Sequence, residues 1–261
     1  MPLSTHPLVR AATSQYRRQL LAWLAVLALP ACGQQGADMA EAPQRSELFG
    51  SPQAAALYSA ASKGDLPRAR RLMAEGANPN AFNAREQNLL DVAMVQGDRR
   101  AFDGLLELGA DPAFLGGARD TSMHFAAQFE DPYWLKAMLT KGASPDARNA
   151  MEETPLFAAL GPTTDKNVQL LLDAGADVHA RSRSRQTLLH KAANINAFGD
   201  VARFLELGVD PTAKNDVGNT FQASFFRTPE RALNSGAKDA RAKVRAWLRA
   251  HNIPIEESGQ R

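Results

Sequence analysis

The sequence predicts an all-α fold, a solenoid of about five to six helix-turn-helix units with hairpin tips and an atypical C-terminal capping helix. Three residue series carry this prediction because each recurs at a spacing of 33. The glycine series is Gly76, Gly109, Gly142, Gly175 and Gly208. The apolar series is Leu57, Leu90, Met123, Leu156 and Leu189. The alanine series is Ala60, Ala93, Ala126, Ala159 and Ala192. A fixed period is typical of repeat proteins, whose units bury apolar surface only against their neighbours.

Within one unit, the alanine belongs to a first helix and the glycine ends a second helix. Each glycine follows an apolar segment such as 168–174, so we expect it to adopt the left-handed conformation that terminates helices. The residues after the glycines, such as Ala110-Asp111-Pro112, disfavour helix and predict a turn. Small alanine side chains let neighbouring first helices approach closely.

The two ends of the series depart from this pattern. Residues 54–61 lack a hairpin opening, as a first capping unit would. At the other end, Phe225 and Phe226 occupy positions where the other units carry small residues, and their rings should push the second helix away. We therefore predict an extra stretch from Arg227 to Gly236 and then an amphipathic helix from Lys238 to Ala250. Val244, Trp247 and Leu248 of this helix would close the stack.

The N-terminus reads as an export signal. An apolar stretch from Leu20 to Ala31 follows Arg10, Arg17 and Arg18, and no acidic residue precedes Asp38. The stretch is shorter than the roughly 20 residues that cross a bilayer. The predicted divisions are 1–31 for a signal peptide, 32–50 for the N-terminus of the mature chain and a flexible tether, 51–226 for the repeats and 227–261 for the C-terminal cap.

The end of this signal resembles that of bacterial lipoproteins. Leu29, Ala31 and Cys32 match their leucine-x-small-cysteine box, which implies that Cys32 is lipidated and that the protein is anchored in the cell envelope, facing the periplasm. Gly33 is not the aspartate that often retains lipoproteins in the inner membrane, so the resemblance favours the outer membrane. An ordinary secretory signal and a buried free cysteine remain alternatives, and the pair Arg17-Arg18 leaves the export route open.

Composition excludes two classes of protein. The whole chain has 30 Lys and Arg, 28 Asp and Glu and a net charge of +2. Removing the three signal arginines leaves 27 basic residues against 28 acidic ones, a charge near −1. The mature chain therefore offers no general electrostatic reason to bind nucleic acid. Cys32 is the single cysteine, so no disulfide framework can form within the chain.

The repeated residues resemble ankyrin repeats, whose units open with Thr-Pro-Leu-His and end with Gly-Ala-Asp. Thr154-Pro155-Leu156 keeps most of the opening, and 121–127 and 187–193 keep the threonine, the histidine and the small pair. Residues 87–93 are degenerate but in phase. The resemblance covers residues 54 to about 226 and implies a concave binding face made of first helices and hairpin tips.

No set of residues predicts catalysis, a metal site or a cofactor site, and we expect the protein not to be an enzyme. His124 and His190 occupy the structural histidine position of the resembled family, and two repeats, or about 20 Å, separate them. The acidic pairs Asp173 with Asp177 and Glu152 with Glu153 lack an accompanying base. The sequence also lacks the common hydrolase, metalloprotease and phosphate-binding motifs.

The register places the hairpin tips at 82–86, 115–119, 148–152, 181–185 and 214–218, with Gly116-Gly117 in the second. They carry a basic series that we interpret as a surface for an acidic protein partner. Its members are Arg85, Arg119, Arg148, Arg181, Arg183, Arg185 and Lys214. Solvated polar turns are the alternative interpretation. Phe125 and Phe129 add aromatic side chains suited to anchoring a partner, with core filling as the alternative for Phe129. Trp134 is expected on the convex side.

The leading functional hypothesis is a monomeric, lipid-anchored protein that binds another protein in the periplasm. A more specific hypothesis is that the protein resembles the bacterial ankyrin lipoproteins that neutralise periplasm-acting toxins such as phospholipases. A maturation or protection factor for a periplasmic enzyme such as a catalase is the alternative. An enzyme is a third class without a candidate site.

Overall fold

The computed structural model describes residues 48–115 and 119–256. These residues form helices and contain no β-strand. The helices are α1 (Pro52–Lys63), α2 (Leu66–Ala74), α3 (Leu89–Gln96), α4 (Arg99–Glu107), α5 (Ser122–Ala127), α6 (Tyr133–Thr140), α7 (Pro155–Ala158), α8 (Asp165–Asp173), α9 (Leu188–Asn194), α10 (Phe198–Glu206), α11 (Gln222–Phe225) and α12 (Ser235–Ala250). The prediction of an all-α fold is confirmed for this part of the chain. The predicted signal peptide, Cys32 and most of the tether lie outside the described residues, and the predicted domain limits stay predictions.

The periodic glycines adopt the predicted left-handed conformation. Their φ angles are 103° at Gly76, 86° at Gly109 and Gly142, 82° at Gly175 and 81° at Gly208. At Gly142 a Cβ atom would meet nothing within 4 Å, so the backbone angle alone explains the glycine. The following N–H, that of Ala143, donates to the carbonyl of Met138 at 3.1 Å, which ends α6 and directs the chain into the next turn.

The core runs through the stack as the apolar and alanine series predict. Every member of both series is at most 2% exposed. First helices pack on one another in order, α3 on α5, α5 on α7 and α7 on α9. Each unit therefore packs one apolar face against the unit before it and another against the unit after it.

The C-terminal end differs from the other units. The rings of Phe225 and Phe226 are buried, α11 is only four residues long, and the second-helix position is taken by α12, which packs on α10. The helix begins at Ser235 and not at the predicted Lys238, because the Asn234 side chain accepts the N–H of Ala237 at 2.8 Å and caps the helix three residues earlier.

A buried arginine fastens α12 to the stack. Arg241 is 2% exposed, and its guanidinium donates to the carbonyls of Phe225 and Thr228, each at 2.7 Å. The guanidinium carbon also lies 5.2 Å from the ring centroid of Phe198 on α10. Sequence patterns did not single out this residue, because an arginine on an amphipathic helix normally faces solvent.

Candidate functional site

The hairpin tips have a fixed conformation that local hydrogen bonds explain. Asn149 is the second residue of the third tip, and its side-chain oxygen accepts the N–H groups of Met151 and Glu153, at 2.8 and 2.9 Å. Its own N–H donates to the carbonyl of Glu153 at 3.1 Å. The tip closes through a left-handed residue, Glu152, with φ 58°. The same register holds left-handed residues in every unit, namely Glu86, Arg119, Glu152, Arg185 and Gly218.

Backbone hydrogen bonds also join each tip to the next. The N–H of Ala150 donates to the carbonyl of Arg119 at 2.9 Å, and the N–H of Arg183 donates to the carbonyl of Met151 at 2.7 Å. The N–H of Asp216 donates to the carbonyl of Ser184 at 3.1 Å. The tips from Arg119 onward therefore form a continuous row, which sets the spacing of the side chains that they carry.

All the predicted basic residues lie on these tips. Arg181 is half-buried, and the other six are exposed, namely Arg85, Arg119, Arg148, Arg183, Arg185 and Lys214.

Arg148 has a structural role that the sequence did not predict. Its guanidinium donates to the carbonyls of Glu152 and Arg181, at 2.6 and 3.0 Å, and so connects two neighbouring tips. Arg183 lies 3.7 Å from the Glu152 carboxylate, with both side chains more than half exposed. Such a pair contributes about 0–1 kcal/mol, so a partner's carboxylate can replace Glu152. The role of the series in binding stays a prediction.

The aromatic residues of the third unit fall into two groups. Phe125 and Phe129 are half-buried and contact each other edge to face, with ring centroids 5.1 Å apart. Both pack against the core and keep part of each ring accessible, which is compatible with either predicted role. The expectation for Trp134 is wrong. Its side chain is 3% exposed and packs edge to face on Phe102 of α4 at 5.0 Å, so the ring lies between two second helices.

An apolar cluster on the first two tips was not anticipated. The rings of Phe82 and Phe114 stack with centroids 5.5 Å apart and an interplanar angle of 28°. Phe114 is 40% exposed and Leu115 is 48% exposed. The signal was available in the sequence, because later units carry buried alanine at the register of Phe114 and a basic residue at the register of Leu115.

The two candidate catalytic histidines are structural, as predicted. Nδ1 of His124 bonds with Thr121 Oγ1 at 2.8 Å and Nε2 bonds with the carbonyl oxygen of Glu153 at 2.9 Å. His190 repeats this pattern with Thr187 at 2.9 Å and the carbonyl oxygen of Asn219 at 3.0 Å. Burial lowers the pKa of both imidazoles. Each ring therefore joins the start of its helix to the tip of the following unit.

Asp91 stands at the register of these histidines in an earlier unit. Its carboxylate accepts the Ser122 hydroxyl of the next unit at 2.7 Å and the N–H of Asn88 at 3.2 Å. Burial raises the pKa of Asp91 to about 6, against the lowering effect of these two hydrogen bonds. The carboxylate thus performs the linking task that histidine performs elsewhere, but it carries a charge at neutral pH.

The acidic pairs do not act as pairs. Asp173 accepts the side-chain amide of Gln169 at 2.7 Å, and Asp177 accepts the N–H of His179 in its own turn at 2.8 Å. Glu153 lies 3.6 Å from Lys191, whereas Glu152 faces Arg183. Over residues 48–115 and 119–256 no cluster of His, Cys, Asp or Glu side chains is arranged to hold a metal ion. None of the helices described above is both long and apolar enough to cross a bilayer.

Comparison with known proteins identifies the repeat unit. Residues 123–215 match the family model for ankyrin repeats (3 copies). Among curated proteins, none matches the chain. The matched segment contains His124, His190 and three of the periodic glycines, so the match and the geometry agree on the same register. Residues 123–215 are therefore similar to ankyrin repeats, which generally mediate binding between proteins.

Proposed function

We propose that this protein binds another protein through the row of hairpin tips and the adjoining concave face, while a lipid on Cys32 anchors it in the bacterial envelope on the periplasmic side. The row of tips carries the proposal. Its spacing is fixed by backbone hydrogen bonds between tips, and it presents basic side chains in several successive units although the mature chain is slightly acidic.

The partner that suits this row is acidic at its contact surface. Like charges on neighbouring tips repel one another, and an acidic surface would relieve that repulsion. It would also accelerate association by steering, an effect that falls as salt rises. We expect the protein to act as a monomer, because one stack already presents the whole row.

A capture experiment from envelope extract tests this proposal. The test variant R183E/R185E reverses two exposed tip charges, and Glu152 already shows that glutamate is accepted at the register of Arg185. The control variant R68E/R71E makes the same charge change at two exposed positions of α2. We expect wild type and R68E/R71E to capture the same partner and R183E/R185E to lose it at least tenfold. Equal capture by all three would refute binding through the tips.

The finer proposal is that the partner is a toxin that acts in the periplasm, such as a secreted phospholipase. Cells that produce such a toxin in the periplasm should survive when they also make this protein and should die when they make R183E/R185E. A gene for the toxin next to the gene for this protein would support the proposal. Survival without the protein would remove it.

A further inference from the structure

The apolar cluster on the first two tips departs from the residue pattern of the later units. Ala147, Ala180 and Ala213 occupy the register of Phe114 in later units and are at most 9% exposed. At the same register the Phe114 ring stacks on Phe82, and 40% of the residue is exposed. The stack of units forms with alanine at this position, so packing does not require the larger side chain.

The next residue shows the same change of chemistry. Leu115 is 48% exposed, whereas its register holds Arg148, Arg181 and Lys214 in the later units. The first two tips therefore carry the apolar residues Phe82, Phe114 and Leu115 beside the exposed basic residues Arg85 and Arg119. The following tips carry basic residues from Arg148 to Lys214, together with the isolated exposed apolar residues Met151 and Val217.

We propose that this row of tips binds an extended acidic segment of the partner protein that also carries a large apolar side chain. The inference rests on the proposed function and specifies its partner. The apolar side chain would lie on the Phe82 and Phe114 rings beside Leu115, since burying exposed apolar surface stabilises a complex. The carboxylates would lie on the fourth tip, which carries Arg181 and Arg183.

The repeat spacing fixes the distance between the two features in the partner. Stacked units are about 10 Å apart, so the second and fourth tips are separated by about 20 Å. An extended chain advances about 3.3 Å per residue. The apolar residue and the acidic residues of the bound segment should therefore be about six residues apart.

Selection from a random 16-residue peptide library on the full-length protein tests this inference. The variant F114A/L115R gives the second tip the residue types found at the same register in later units, so it should fold as wild type does. The variant R183E/R185E alters the fourth tip alone. We expect wild type to select peptides with both features at the stated separation. F114A/L115R should keep only the acidic preference, and R183E/R185E should keep only the apolar one.

Affinity measurements on the peptide that binds wild type most strongly complete the test. F114A/L115R should weaken the binding of this peptide at least tenfold.

Three results of the selection would overturn the inference: peptides that carry only one of the two features, no enrichment of any peptide, or the same selected peptides on F114A/L115R as on wild type. So would a dimer of this protein in sedimentation that F114A/L115R abolishes, because a second copy would then cover the patch. If the captured partner depends on Arg183 and Arg185 but not on Phe114 and Leu115, the inference fails and the proposed function stands. If the library yields peptides with both features but no partner is captured from extract, the proposed function fails and the peptide preference of the tips stands.

Discussion

Replacing Arg241 with methionine should destabilise the C-terminal end of the stack. Methionine keeps much of the volume beside the Phe198 ring but removes the donors to the carbonyls of Phe225 and Thr228, which Arg241 contacts at 2.7 Å each. A buried polar group left without its partner costs about 1–3 kcal/mol. The release of a buried charge offsets part of this cost. We expect a net loss of about 3 kcal/mol in the free energy of unfolding.

Urea unfolding followed by circular dichroism measures this loss. With a slope of about 2–3 kcal/mol per molar urea, the midpoint of R241M should fall by about 1 M. In R241M, amide hydrogen exchange relative to wild type should be accelerated more in α12 than in α9, because each unit is stabilised by its immediate neighbours. The control R249M removes an exposed arginine from the same helix and should change the free energy of unfolding by less than about 0.5 kcal/mol. A midpoint for R241M equal to that of R249M would refute the reasoning.

Two further changes test the remaining conclusions. Because the pKa of Asp91 is raised to about 6, its stabilising contribution is complete below the unfolded pKa near 4 and is lost as pH rises through 6. D91N should remove this pH-dependent component, at most about 3 kcal/mol, from urea unfolding measured between pH 4 and 7; an unchanged pH profile would contradict the assignment. C32S should move the protein from the membrane fraction to the soluble fraction, because it removes the thiol that would carry the lipid. Continued membrane association of a processed C32S chain would count against a lipid anchor.

Residue spacing predicted the parts of the fold that depend on one unit at a time. The periodic glycines and the histidines at 124 and 190 were placed correctly because each has a requirement, a left-handed angle or a hydrogen bond to the next tip, that recurs with the period. Trp134 was placed wrongly because helix periodicity does not fix which way the first turn of a short helix faces. The start of α12 was misplaced because the cap at Asn234 lies outside the apolar pattern.

The candidate site was predicted less completely than the fold. The tips and their basic residues follow from register, but the link from Arg148 to the Arg181 carbonyl depends on the distance between neighbouring units. The exposure of Phe114 likewise depends on the space beneath the tip. Large apolar residues are normally buried, so composition alone could not separate an accessible ring from a core ring.

By itself, the sequence determined the all-α class, the repeat period and the placement of charge on the tips, because each of these is a local property repeated along the chain. Only the tertiary structure decided that Arg241 is buried, that Asp91 takes the linking role of a histidine and that Phe114 and Leu115 are exposed beside Phe82. These features arise from contacts between units, where the available space and the partner atoms come from a different part of the chain.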